Sequence, residues 1–202
     1  MDYSQTGEQQ IIRNYFGAKI GTFLDLGAND GKTFSNVYDC ALRRWTGTCV
    51  EPSKTAFDKL FSLHKNTDIE CFNVGVSDKE GLLEFHDSGT HLNKGDTSLL
   101  STFVDNDYNK WKDHCEFETT TAQLITFPQL MVLSKIKTFD LISIDIEGLD
   151  YQVLTQMNLN KLKCQMLIVE TNSIEDQKYI DYCAKFGMKL LHKNMMNLIF
   201  VR

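Results

Sequence analysis

Apolar residues along the chain follow two alternating rhythms. Short, dense apolar runs of strand character fall at residues 22–26, 47–50, 69–73, 139–144, 165–169, 188–192 and 197–201. Between them the apolar positions recur at helical spacing. Residues 8–16 place Ile11, Ile12, Tyr15 and Phe16 on one side, and residues 54–65 do the same with Ala56, Phe57, Leu60, Phe61 and His64. Ser173-Ile174-Glu175-Asp176 has the pattern of a capping box, opening a helix that buries Tyr179, Ile180, Cys183 and Phe186 and ends at Gly187. Strands and helices in alternation predict an α/β fold, a doubly wound and mostly parallel sheet with helices on both faces.

Two segments depart from that alternation. Residues 82–127 are far longer than an ordinary αβ connection of about 2–6 residues. Their ends alternate (Leu82, Leu83 and Phe85, then Phe117, Thr119, Thr121 and Leu124), which predicts an inserted hairpin. The middle, from His86 to His114, is polar and irregular and is expected to act as a substrate lid, with Thr97-Ser98-Leu99-Leu100-Ser101 as its acceptor contact. The second departure is the last two strands. Only Lys193-Asn194-Met195-Met196 joins them, so they must be antiparallel, because a parallel crossover needs about a dozen residues.

Composition narrows the class. The 202 residues suit one domain over 1–202, and 42% hydrophobic with 24% charged residues is ordinary globular usage. No run approaches the roughly 18 apolar residues of a membrane span. The start, Met1-Asp2-Tyr3-Ser4-Gln5, has no signal-peptide pattern. Six cysteines without a CxxC pair are expected to be reduced, buried thiols, and the expected location is the cytoplasm. With 21 Lys and Arg against 27 Asp and Glu, the formal charge is -6, and no basic stripe is present; neither nucleic acid nor membrane is expected as a partner.

The chemistry concentrates where the first strand ends, in Asp25-Leu26-Gly27-Ala28-Asn29-Asp30-Gly31. Gly27 and Gly31 permit a tight turn and close approach of a ligand to the backbone. The pattern is not the G-x-G-x-x-G that cradles a pyrophosphate. Asp25 and Asp30 would repel a diphosphate and suit a cation such as an α-amino group. Glu51 ends the second strand, where an acid commonly takes a ribose diol. A nucleoside bearing an amino acid and no phosphates, S-adenosylmethionine, meets both requirements. An ordinary turn with Asp25 as a helix cap is the plainer alternative.

Together with segments before and after it, this loop resembles the FkbM-like methyltransferases. The resemblance runs through Ser4-Gln5-Thr6-Gly7-Glu8-Gln9, Phe23 to Gly31, Phe34-Ser35-Asn36 and Trp45 to Pro52. It continues through Asn73-Val74-Gly75-Val76-Ser77-Asp78, Leu141 to Gly148 and Ile168-Val169-Glu170-Thr171-Asn172. Gln9 stands where the family opening has an acid, and Ser143 where many relatives have Lys. The resemblance implies a Rossmann-like class I methyltransferase sheet with a terminal antiparallel strand pair. It also implies methyl transfer to a hydroxyl on a sugar, a glycan or another small molecule. By motif match, Gly27, Ala28, Asn29 and Gly31 line the cofactor loop, Ser35 and Asn36 lie near the amino-acid part, Glu51 takes the ribose, and Asn73 with Val74 the adenine edge.

An acidic cluster follows. Asp145 and Glu147 are spaced to share a face at a strand end, and Glu170 with Asn172 repeats the spacing on the next strand. In a doubly wound sheet, ligands bind beyond the carboxyl ends of such strands, so the four groups are expected to converge on the reacting centre. For Glu147 the simpler alternative is a place at the start of the following helix. One carboxylate could serve as general base, with His91, His114 or His192 as alternatives, or the oxygen-rich group could hold magnesium or calcium. A noncatalytic interaction module and a protein or nucleic-acid methyltransferase are the competing functions.

Overall fold

The computed structural model describes residues 1–90, 97–171 and 175–202. Seven strands form the central sheet: β1 (Thr22–Leu26), β2 (Thr46–Val50), β3 (Ile69–Phe72), β7 (Leu141–Ile144), β8 (Met166–Glu170), β9 (Lys189–Lys193) and β10 (Asn197–Val201). Their order is β3-β2-β1-β7-β8-β10-β9. β1 pairs in parallel with β2 and β7, and β7 in parallel with β8. β10 is antiparallel to both β8 and β9, as the short link between the last two strands requires.

Strict two-residue alternation explains how such strands bury both faces. Leu24, Leu26, Ile142, Ile144, Leu167 and Val169 belong to one apolar cluster. Their neighbours Phe23, Leu141, Met166 and Ile168 belong to the other. Parallel strands covered on both sides therefore show near-continuous apolar runs in the sequence. The first face is covered by α5 (Phe127–Leu133), α6 (Asp150–Leu154) and α7 (Asp176–Ala184), through Leu130, Val153 and Tyr179 among others. The second is covered by α1 (Glu8–Phe16), α2 (Tyr38–Leu42) and α3 (Lys54–His64), through Ile12, Cys40 and Leu60. All six cysteines are free, and five are buried.

The inserted hairpin is present. β5 (Gly81–Ser88) and β6 (Phe117–Thr126) pair antiparallel from Gly81↔Leu124 to Ser88↔Phe117. β4 (Gly75–Ser77) joins them in parallel, making a second, three-stranded sheet in the order β4-β6-β5. Three residues are too few to show a period, so β4 has no signature in the sequence. Between the hairpin strands lies α4 (Asp105–Trp111). Another helix the apolar rhythm misses, α5, is opened by a capping box in which the Thr126 hydroxyl accepts from Gln129 N, with Pro128 in the first turn. Part of the expected lid, with His91, and the Ser173-Ile174 half of the expected capping box lie outside the described residues. α7 opens at Asp176 behind Glu175.

Candidate functional site

β1 sits at the point where the strand order reverses, and the chain beyond it forms one side of a cavity of about 250 Å³. Gly27 has φ 81° and lies where an added Cβ would meet the Asp145 carbonyl oxygen at 1.7 Å, so only glycine fits. The amides of Gly27 and Ala28 both donate to the Val50 carbonyl at 3.0 Å, tying the turn to β2. Asn29 is left-handed at φ 47°, a conformation its side chain supports by accepting from Asp30 N at 2.6 Å. Asp25, Gly27, Ala28 and Asn29 all line the cavity, as do Ser35 and Asn36.

Asp25 is buried on β1, opposite Ser143 on β7. Burial raises its carboxyl to about 7, against a hydrogen bond from Ser143 that favours the charged form. The Ser143 hydroxyl in turn accepts from Asn36 Nδ2 at 3.2 Å. Glu51 also lines the cavity. One of its oxygens accepts from Asn29 N at 2.8 Å and the other from Ser53 N at 2.7 Å. Burial pushes it up to about 8, with the charges of Asp87 and Asp25 adding to the rise.

Three residues expected at this site are not among those lining the cavity. The Asp30 carboxylate closes its own turn, accepting from Lys32 N, Thr33 N and the Thr33 hydroxyl at 2.7–2.8 Å. Gly31 packs on α3, where a Cβ would meet Leu60 Cδ1 at 2.7 Å. Asn73 Nδ2 donates to the carbonyls of Glu51 and Pro52, so it braces the loop that carries Glu51, and Val74 alone of the pair reaches the cavity. Short polar side chains such as Asp30 and Asn73 bond to nearby backbone more readily than they reach into a cavity.

The acidic residues do converge, by a route other than a shared strand face. β7 stops at Ile144, and Asp150 accepts from Ile146 N and Gly148 N, folding the next residues into a turn. Glu147 has φ 49° in that turn and is not part of the helix, since α6 begins at Asp150. Asp145, Glu147 and Glu170 each bring a carboxylate oxygen within 4.8 Å of the others. All three line the cavity and are partly exposed to it. Burial raises every one of them. Asp145 and Glu170 hydrogen-bond to each other, and Glu170 rises much further because it also feels Asp145 and Glu147. Two carboxyls so joined resist ionising together, and the greater rise at Glu170 makes Asp145 the one that gives up its proton more readily. Asn172 and His91 lie outside the described residues, and neither His114 nor His192 lines the cavity.

The 82–127 insertion supplies the opposite wall. Ser98, Leu99, Leu100 and Ser101 line the cavity, so the expected acceptor strip stands at the site. Gln5, Phe34, Trp111 and Met196 line it as well; none was assigned a site role from the sequence, although Gln5 and Phe34 stand within the family motifs. Phe34 is 38% exposed with φ 54°, an aromatic held in a strained backbone at the cavity. For Trp111 and Met196 the signal is position in the fold.

Among the described residues that line the cavity there is no Lys or Arg, while five carboxylates do so: Asp25 and Glu51 on the cradle side, Asp145 and Glu147 beyond β7, and Glu170 at the end of β8. That donor set rejects phosphate and fits a cationic nucleoside.

The model of the methyltransferase FkbM domain matches residues 25–199. Among solved structures, an FkbM methyltransferase from Methylobacillus flagellatus KT superposes with a TM-score of 0.59 at 11% identity, covering 99% of this chain and 48% of that one. The ribosomal protein L11 methylase of Lactobacillus delbrueckii subsp. bulgaricus gives 0.52 at 10% identity, covering 96% and 77%. Monomeric WbdD gives 0.50 at 11% identity, covering 97% and 41%. The chain thus spans about half the length of the first of these. No curated protein sequence matches it. At such identities the likeness shows the fold, which is that of class I methyltransferases.

Proposed function

The chain belongs to the FkbM methyltransferase family, and from that premise we propose that it is an S-adenosylmethionine-dependent O-methyltransferase acting on a hydroxyl of a sugar, a glycan or another small molecule. The observation that carries this reading is the Asp145–Glu170 carboxyl pair in the cavity lining, beside the Gly27 turn. S-adenosylmethionine supplies an already electrophilic methyl group, so the protein has only to position an acceptor and take its proton.

The residues present fit that cofactor. Gly27, Ala28 and Asn29 would face its amino-acid part with Asp25, Ser35 and Asn36. Glu51 would take the ribose, and Val74 with Val50 and Pro52 would offer the base an apolar edge. Asp145 is the general base. It accepts a proton from the acceptor hydroxyl while Glu170, already protonated, steadies its charge by hydrogen bonding. Phe34 and Trp111 offer flat apolar faces, and Gln5 an amide, to a hydroxylated ring. These groups support a sugar-like acceptor over a nucleic acid, as does the net charge of -6.

Calorimetry with S-adenosylhomocysteine tests the cofactor; saturable binding of NAD with none of the homocysteine nucleoside overturns it. Label transfer from methyl-tritiated S-adenosylmethionine to a panel of glycans and hydroxylated small molecules tests the acceptor. A second reading rests on the 4.8 Å convergence of Asp145, Glu147 and Glu170, a donor set that suits magnesium or calcium. Full turnover in excess chelator rejects it.

A further inference from the structure

A chain of hydrogen bonds runs behind the cavity from the cradle to the inserted hairpin, and one carboxylate orders it. Ser53, the N-cap of α3, donates its backbone N–H to Glu51 and accepts from Ala56 N at 3.2 Å. Its hydroxyl lies 2.8 Å from Asp87 Oδ2 on β5. An ionised carboxylate only accepts, so Ser53 must donate there, and the 2.9 Å contact with Ser98 must run from the Ser98 hydroxyl to Ser53. The other Asp87 oxygen accepts from Ser101 Oγ at 2.7 Å. Ser101 Oγ accepts from Ser88 N at 2.9 Å, and Ser88 Oγ accepts from Leu100 N at 3.0 Å. The direction of each hydroxyl in the network therefore follows from the charge on Asp87.

What the network joins is the cavity itself. Ser98, Leu99, Leu100 and Ser101 line it from the insertion, and Glu51 lines it from β2. Ser98 sits at φ 62°, a left-handed conformation that costs a serine energy and persists only where neighbours impose it. The cradle grips the same strip independently, since Asn29 Nδ2 donates to the Thr97 carbonyl at 3.0 Å. A polar serine strip on a long insertion would otherwise favour water.

We infer that Asp87 is a positioning residue for the cofactor site: by holding Ser53 and Ser101 together it fixes the Ser98–Ser101 strip as the cavity wall facing Glu51. The residue touches neither cofactor nor acceptor and acts through the two serines. The assignment rests on the cofactor reading above, and its test separates the two.

Asp87→Ala, Asp87→Asn and Ser101→Ala are compared with wild type by calorimetry with S-adenosylhomocysteine and by hydrogen exchange on the free proteins. Asp87→Ala is expected to weaken binding at least tenfold, with faster exchange confined to peptides spanning 97–101, and Ser101→Ala to reproduce the exchange change in part. Asp87→Asn keeps the shape and removes the charge beside Glu51, whose other charged neighbour is Asp25. It is therefore expected to move the pH midpoint of cofactor binding downward, which a merely structural residue would not do. Affinity of Asp87→Ala within twofold of wild type overturns the inference. So does faster exchange spread over the whole domain, or an unmoved midpoint in Asp87→Asn. If wild type itself binds no S-adenosylhomocysteine, the cofactor reading fails, and exchange of the 97–101 peptides in the free variants still decides whether Asp87 holds the strip.

Discussion

Glu51 and Asp145 carry different duties because their surroundings differ. Glu51 has both oxygens held by backbone amides, so it is a fixed acceptor. Replacing it with alanine should lower S-adenosylhomocysteine affinity at least tenfold above pH 8, where the buried carboxyl is ionised, because a hydrogen bond to a charged group is worth roughly 1.5–3 kcal/mol. Calorimetry reads the loss, and circular dichroism checks that the fold is intact. Asp145 is hydrogen-bonded to Glu170, and burial raises it to about 6. Once an acceptor is known, Asp145→Asn should slow turnover by roughly 10²–10⁴-fold with cofactor binding retained. The wild-type rate should rise with pH through about 6, since the base works only when ionised. A flat profile over that range, or near-normal turnover of the variant, removes Asp145 as base. Gly27 is limiting for another reason. A Cβ there strikes the Asp145 carbonyl, so Gly27→Ala should destabilise by at least about 1–3 kcal/mol, measured by denaturant unfolding.

At the level of elements, the carboxyl ends of β1, β2, β7 and β8 bring the site together. The link after β7 needs Asp150 to fold it, because without that carboxylate Ile146 N and Gly148 N would have no partner in the turn. α5 depends on its own cap. Thr126 accepts from Gln129 N while Gln129 Oε1 accepts from Thr126 N at 2.7 Å. Thr126→Ala should therefore cost about 0.5–2 kcal/mol of stability with little effect on cofactor affinity, since α5 covers the core and does not line the cavity. A large loss of affinity with unchanged stability would contradict that division. The helical signal of α1, α3 and α7 was readable because each presents a full apolar stripe. α2 and α6 span five residues each, less than two turns, and too few to show one.

For the molecule as a whole, packing several acids around one cavity sets a pH dependence of stability. Asp25 is raised to about 7 and Glu51 to about 8, both chiefly by burial. Unfolded, such groups lose their protons near pH 4. Between that value and the folded pKa the native state holds protons that the unfolded state has released, so stability falls as pH rises. The melting temperature should accordingly decline from pH 5 to pH 8. Glu51→Gln, which keeps the shape and cannot ionise, should flatten the decline by a few degrees, on the order expected for about 1 kcal/mol in a domain of this size. A wild-type melting temperature that rises across the interval refutes the assignment. No helix among the described residues is long and apolar enough to cross a membrane.

Periodicity in the sequence determined the alternating sheet and the hairpin, because an apolar residue in a strand or helix has only one face on which to be buried, and the short link at 193–196 determined the antiparallel close. It also located the Gly27 turn, since a glycine between two acids at a strand end has a backbone reason to be there. Partners distant in sequence were decided by tertiary structure alone. Asp30 and Asn73 have the side chains of ligand contacts, but Asp30 closes its own turn and Asn73 braces the loop after β2. Phe34, Trp111, Met196 and Gln5 reach the cavity only because four unconnected segments meet there. Asp145, Glu147 and Glu170 meet at the cavity, and what joins them is a left-handed turn held by Asp150, not the common strand face that their spacing suggested. Spacing along a chain reports which face a side chain takes within one element. Hydrogen bonds between loops depend on how those elements pack, and no local pattern encodes that.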